Sequence, residues 1–214
     1  MRYSVGLVLA GWAAVVVGAQ YLLLTHATTP GAVGAVANEL PAGLGERLQW
    51  QRTRPLLVLA AHPQCPCLPA TLGELQRVLR DSPAVDLRVL IQTPTNPPPA
   101  WDAAAAAALR NQLPAHAVRE DRDGAMAAAF GLTTSGHLVL YATSGARSFC
   151  GGITAGRGHA GDNEAAQALQ SAIAAPTQIH ATTAVFGCPL RADSPGHDSP
   201  CCKPDGSDRR TAPR

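Results

Sequence analysis

Hydrophobic positions along the chain fall into three textures. The first is an unbroken block: residues 5–24 carry no charge. Twenty such residues reach across about 30 Å of hydrocarbon at ~1.5 Å of rise each. The second is a series of short apolar runs alternating with amphipathic stretches, from about residue 50 to residue 175. The third is polar: from Ala192 onward Ser, Asp and Pro recur, a composition that cannot bury a core.

Within the middle region, Leu56–Ala61 is the first strand. The positions Leu68, Leu72, Leu75 and Leu79, spaced four, three and four, line one face of a helix. Asp81-Ser82-Pro83 ends it. A second strand spans 85–91 and breaks at Pro94–Pro99. Helices follow at 101–113, with Asp102 near its start, and at 124–130. Strands 137–142 and 147–153 flank Thr143-Ser144-Gly145, a hairpin signal. A helix at 163–174, capped by Asp162 or Asn163, closes the series. The order β, α, β, α, short α, β, β, α predicts a mixed sheet with helices on both faces. The first two strands are parallel through a right-handed crossover and the last two are antiparallel.

These textures divide the chain into a membrane anchor (1–25), an Ala/Gly/Pro/Thr-rich linker (26–45), a folded domain (46–178) and a Cys-containing, largely disordered tail (179–214). Arg2 precedes the apolar block and no formal charge follows it until Glu39. The positive-inside rule then leaves the N-terminus in the cytoplasm and the domain on the periplasmic side of a single-pass inner-membrane protein. A cleaved signal peptide, cut after Val17-Gly18-Ala19, is the competing expectation, but the apolar stretch continues beyond that site. Both export the domain to a compartment where disulfides persist. The lipid bilayer is thus one partner, through residues 5–24. Charged residues are 15% and the net charge is +2. With arginines scattered rather than clustered, no nucleic-acid partner is expected.

The candidate chemistry sits at Cys65-Pro66-Cys67, between the first strand and its helix. A thiolate at a helix N-terminus faces unpaired N–H groups and the positive end of the dipole, so its pKa falls. In a helix, residues i and i+2 point about 200° apart, so the two sulfurs meet only if Cys65 is extended. Pro66 biases Cys65 that way and suits a first helical position. Cys65 is therefore expected just outside the helix, more exposed and nucleophilic, with Cys67 just inside as the resolving thiol. A disulfide between them closes a small strained ring, readily reduced. His62, three residues earlier, is a candidate to lower the thiol pKa or accept its proton, or is simply a strand-end histidine. Cys150, at the end of a hairpin strand, is either a further resolving thiol or buried and inert. Gly156-Arg157-Gly158-His159-Ala160-Gly161 matches G-x-G-x-x-G, yet no following strand supplies the acidic residue of a dinucleotide site. Its Arg157, His159 and Asp162 bind a substrate acid, pack beside the thiols, or form a tight turn into the helix. Cys188-Pro189, after Val185-Phe186-Gly187, either extends the ordered domain or opens the tail, in which His197 and Cys201-Cys202 can bind metal or pair.

Strand, cysteine motif and helix, followed by Asp123, Ala129-Phe130-Gly131-Leu132, His137-Leu138-Val139-Leu140-Tyr141 and Gly145, resemble the thioredoxin-like superfamily over residues 50–175. The chain is most similar there to membrane-anchored, exported redoxins of the TlpA/ResA kind. It is similar also to small redoxin-like proteins called RedB, through Cys-Pro-Cys, Gly-Gly-Ile-Thr and Arg-Gly-His. The resemblance implies a thioredoxin-like mixed sheet and exchange with protein thiols or disulfides, without a bound cofactor. Two departures stand out. The family motif is Cys-x-x-Cys, one residue longer. The family's cis-proline before the penultimate strand is replaced by Thr133-Thr134-Ser135-Gly136, where a trans peptide is expected because a non-proline cis bond costs ~3–4 kcal/mol.

Together these features predict a thiol–disulfide oxidoreductase using Cys65 and Cys67, with His62, Cys150, Arg157 and His159 as accessory candidates. One alternative is a copper-binding assembly factor like the Sco proteins, with His62, Cys65, Cys67 and His159 as ligands, since thiolate and imidazole suit Cu(I). The other is a redox-inactive interaction module.

Overall fold

A computed structural model describes residues 2–82, 84–176 and 181–190. Its centre is a six-stranded mixed sheet in the order β3-β2-β1-β4-β5-β6. The strands are β1 (Leu56–Ala61), β2 (Asp86–Thr93), β3 (Val118–Arg122), β4 (Leu138–Tyr141), β5 (Arg147–Gly151) and β6 (Ala181–Thr182). β1, β2 and β3 are parallel neighbours, β4 runs antiparallel to β1 and β5, and β6 is parallel to β5. The helices are α1 (Arg2–Thr28), α2 (Leu44–Arg47), α3 (Leu68–Arg80), α4 (Ala103–Asn111), α5 (Ala125–Ala129) and α6 (Glu164–Ala174). A βαβ unit joined to a β-hairpin and closing helix, with the hairpin paired to the first strand, is the thioredoxin-like arrangement. The mixed sheet expected from the sequence is present.

β1 explains why the pattern was readable. All six of its residues are buried. Leu57, Leu59 and Ala61 join a core with α3, α4 and α6, while Leu56, Val58 and Ala60 join a second core with α2 and α5. A strand covered on both faces reads as a continuous apolar run. α3 lays Leu68, Leu72, Leu75 and Val78 on the first core, as its spacing predicts. It ends at Arg80, before Asp81; Pro83 lies outside the described residues.

Three elements were not read from the sequence: α2, β3 and β6. The segment expected as a linker, 26–45, is bonded to the domain. Leu40 N–H donates to the Gly145 carbonyl at 2.8 Å, Arg147 N–H to the Asn38 carbonyl at 2.8 Å, and the Thr133 and Thr134 hydroxyls to the Ala32 carbonyl at 2.7 and 2.6 Å. The tail assigned to 179–214 also begins inside the fold. β6 pairs with β5, and residues 183–190 run on as an extended strap with Val185, Cys188 and Leu190 buried. Residues 191–214, which include His197, Cys201 and Cys202, lie outside the described residues.

α1 is long and apolar enough over Val5–Thr28 to cross a membrane, and none of that span is buried against the protein.

Candidate functional site

β1 delivers the chain to the site through two turns. Cys65 N–H donates to the His62 carbonyl at 3.0 Å, and Leu68 N–H donates to the Cys65 carbonyl at 3.1 Å. Pro66 falls inside the second turn, and Pro69 occupies the first turn of α3, where a missing N–H costs nothing. Cys67 is the N-cap residue of α3, with φ −85° and ψ −18°. Both cysteines thus precede the first helical residue, Leu68: Cys67, expected just inside the helix, is its cap, and Pro66, expected at the first helical position, lies ahead of it.

The expected exposure is reversed: Cys65 is 3% exposed and Cys67 7%. Cys65 is covered because a third cysteine, Cys188, is brought to it by the strap. Ser135 N–H donates to the Cys188 carbonyl at 2.8 Å, Leu190 N–H donates to the Thr133 carbonyl at 2.9 Å, and Thr134 and Pro189 form an antiparallel bridge. The same Ser135 accepts, on its hydroxyl, the His62 N–H at 3.0 Å. One residue therefore clamps both the turn into Cys65 and the strap that carries Cys188. No peptide bond is cis among the described residues, so Thr133–Gly136 shapes this edge with trans bonds, as anticipated.

The electrostatic result is a thiol held far below its ordinary range. The Cys188 thiol is the strongest cause, the Cys67 thiol the second; the backbone N–H groups of both residues add to it, against the opposing effect of burial. Donors converging on one sulfur favour its anion, and a thiolate is the nucleophilic form.

The remaining candidates take different positions around this cluster. His62 is half-buried and meets Trp101 edge-on at 6.2 Å between ring centroids. Cys150 pairs in register with Val139, whose side chain packs in the second core, whereas Cys65, Cys67 and Cys188 belong to the first. The sheet lies between Cys150 and the other three thiols. Cys150 instead sits 3.3 Å from His137 Nε2. Burial pushes the Cys150 thiol up and the His137 imidazole down to about 4, so this pair is neutral, S–H beside imidazole. His159 is exposed, with Nδ1 3.0 Å from the Arg157 carbonyl. Arg157 does reach the site's cover: its Nη1 donates to the Gly187 carbonyl at 2.6 Å, next to Cys188. Asn163 rather than Asp162 caps α6, and Asp162 accepts from Arg77 at 3.2 Å. Glu74, missed by sequence reasoning, is buried on α3, where it accepts from Arg77 and from the Gly161 N–H at 2.7 Å, tying the glycine-rich loop to the helix. Among the described residues, no group of three His, Cys, Asp or Glu side chains is arranged to hold a metal ion. Of the ligands named for the copper alternative, His159 is bonded to the Arg157 carbonyl on the exposed loop.

No family model and no curated protein matches the chain. Its fold is similar to that of several solved structures, among them the following. An uncharacterized conserved protein from Geobacillus kaustophilus shares 11% identity at a TM-score of 0.51, over 77% of this chain and 92% of that one. A hypothetical protein from Sinorhizobium meliloti shares 19% identity at 0.46, over 76% and 94%. A secreted Mycobacterium tuberculosis disulfide oxidoreductase homologous to E. coli DsbE shares 18% identity at 0.39, over 57% and 81%. At such identities the likeness bears on fold alone.

Proposed function

We propose that the chain is a membrane-tethered, extracytoplasmic thiol–disulfide oxidoreductase with Cys65 as its nucleophile. The observation that carries this reading is the convergence of the Cys188 and Cys67 thiols and N–H groups on the Cys65 sulfur. A structural cysteine has no need of a stabilised anion. An exchanging one does, because the thiolate attacks. The exposed apolar helix α1, either a retained anchor or an export signal, supports a location outside the cytoplasm.

In the proposed reaction the Cys65 thiolate attacks one sulfur of a protein disulfide. The substrate S–S bond breaks, its departing sulfur takes a proton, and Cys65 is left in a mixed disulfide. A second thiol, assigned from the sequence to Cys67, attacks Cys65 and releases the reduced substrate. Two electrons pass from the chain to the substrate, and the reverse sequence oxidises a dithiol.

Trapping tests the reading directly. With both neighbouring thiols removed in a Cys67→Ser/Cys188→Ser chain, Cys65 should hold protein partners in mixed disulfides that mass spectrometry detects after acid quench. Adding Cys65→Ser should abolish them. Absence of any Cys65 adduct from the doubly substituted chain would refute exchange at this site.

A further inference from the structure

Cys67 is the neighbour of Cys65 in sequence, but the fold brings Cys188 to the same sulfur from the far end of the chain. Residues 183–190 are held by main-chain bonds along their length. Thr183 N–H donates to the Cys150 carbonyl at 3.1 Å, Gly152 N–H to the Ala184 carbonyl at 3.2 Å and Gly31 N–H to the Val185 carbonyl at 2.8 Å. Beyond Val185 the strap lies antiparallel to Thr133–Ser135. An extended segment added to a backbone edge by main-chain bonds is the way a peptide ligand docks by strand addition. Here the added segment is the chain's own, and the residue it sets down at Cys65 is a cysteine.

Resting on the oxidoreductase reading, we propose that Cys188 is the thiol that resolves Cys65, so that the oxidised resting state carries a Cys65–Cys188 disulfide rather than a Cys65–Cys67 one. The geometry favours it twice. Cys65 and Cys67 lie one residue apart in the turn that leads into α3, where closure makes a small ring. Cys188 approaches on an independent segment, fixed through Ser135 to the turn that carries Cys65, and closes no such ring. In balance, the Cys188 sulfur attacks Cys65 in its mixed disulfide, the Cys65–substrate S–S bond breaks, and the substrate sulfur leaves as a thiol. The chain loses two electrons to the substrate disulfide and must later regain them from a dithiol. Cys67 then serves as a donor that stabilises the Cys65 thiolate.

Peptide mapping separates the two outcomes, because trypsin leaves Cys65 and Cys67 together on residues 53–77 and Cys188 on 158–191. The full chain, reduced in detergent, is exposed to oxidised glutathione, quenched with acid, alkylated and digested. A linked 53–77/158–191 pair is expected, opening again as reduced glutathione is raised. Cys67→Ser should keep the link. Cys188→Ser should lose it and retain glutathione on Cys65 at least about tenfold longer. A Cys65–Cys67 disulfide inside 53–77, unchanged in Cys188→Ser, would overturn the role of Cys188 and leave exchange at Cys65 standing. A linked pair that never reopens would mark a structural clamp and overturn it too. Failure of Cys65 to accept glutathione in any variant would instead remove the oxidoreductase reading itself.

Discussion

His137 and Cys150 form a buried thiol–imidazole contact, and its chemistry is opposite to that of the thiol cluster at Cys65. No charge faces the imidazole favourably: burial is the main cause of its depressed pKa of about 4, and the Arg147 guanidinium adds to it. The unfolded chain therefore binds a proton that the folded chain refuses between about pH 6.5 and pH 4. Stability should be unaffected by this group above that window and fall by roughly 3 kcal/mol as the pH drops through it. Urea midpoints measured across the window should show the decline, and His137→Gln should flatten it. At this scale the sequence marks Cys65 and Cys67, the latter the cap of α3, as neighbours at the entry to a helix. It did not disclose Cys188 as their companion, because 121 positions separate Cys67 from Cys188 and no local pattern encodes a contact made by main-chain bonds. The exposure of Cys65 was misjudged for the same reason, since its cover comes from that distant strap.

Elements with long apolar runs or regular helical spacing are legible, and short or polar ones are not. β1 and α3 announce themselves through six consecutive apolar residues and a four-three-four leucine spacing. β3, Val-Arg-Glu-Asp-Arg, sits at the sheet edge with one fully buried side chain, Asp121, which accepts the Met126 and Ala127 N–H groups at the start of α5. Its polar sequence hides a strand. The strap 183–190 is held by backbone, so its one strong sequence signal is a glycine. A Cβ on Gly187 would lie 1.9 Å from the Ser135 carbonyl oxygen, a main-chain atom that cannot swing aside. Gly187→Ala should therefore lift the strap at a cost of about 1–3 kcal/mol, the usual range for overpacking. The expected signature is local: proteolysis after the strap residues and fast alkylation of Cys65, with the β1–β4 amides still protected from hydrogen exchange. Protection lost throughout the sheet would show instead that the strap is integral to the core.

For the whole molecule, apolar runs, helical spacing and turn residues make a mixed sheet legible, and the thioredoxin-like class rests on the motif resemblance; the two ends are not legible in this way. Both were read as loose by composition, and both are laid across the Thr133–Ser135 loop. Retention of α1 makes a simple prediction. Intact mass of the exported protein should include residues 5–24, and the chain should stay with membranes after alkaline extraction. A product beginning at Gln20 would identify the helix as a cleaved signal. Where α1 is retained, its last turn bears on how the site meets partners. The Arg157 N–H donates to the Ala27 carbonyl at 2.9 Å, and the same residue's guanidinium holds Gly187 beside Cys188. The domain is then moored at the bilayer surface with no slack, like a boat tied at the bow. For the proposed exchange, the search for partner sulfurs becomes two-dimensional, confined to those presented near the membrane surface. Lengthening the chain between α1 and Gly31 would widen that reach only after Arg157 had let go.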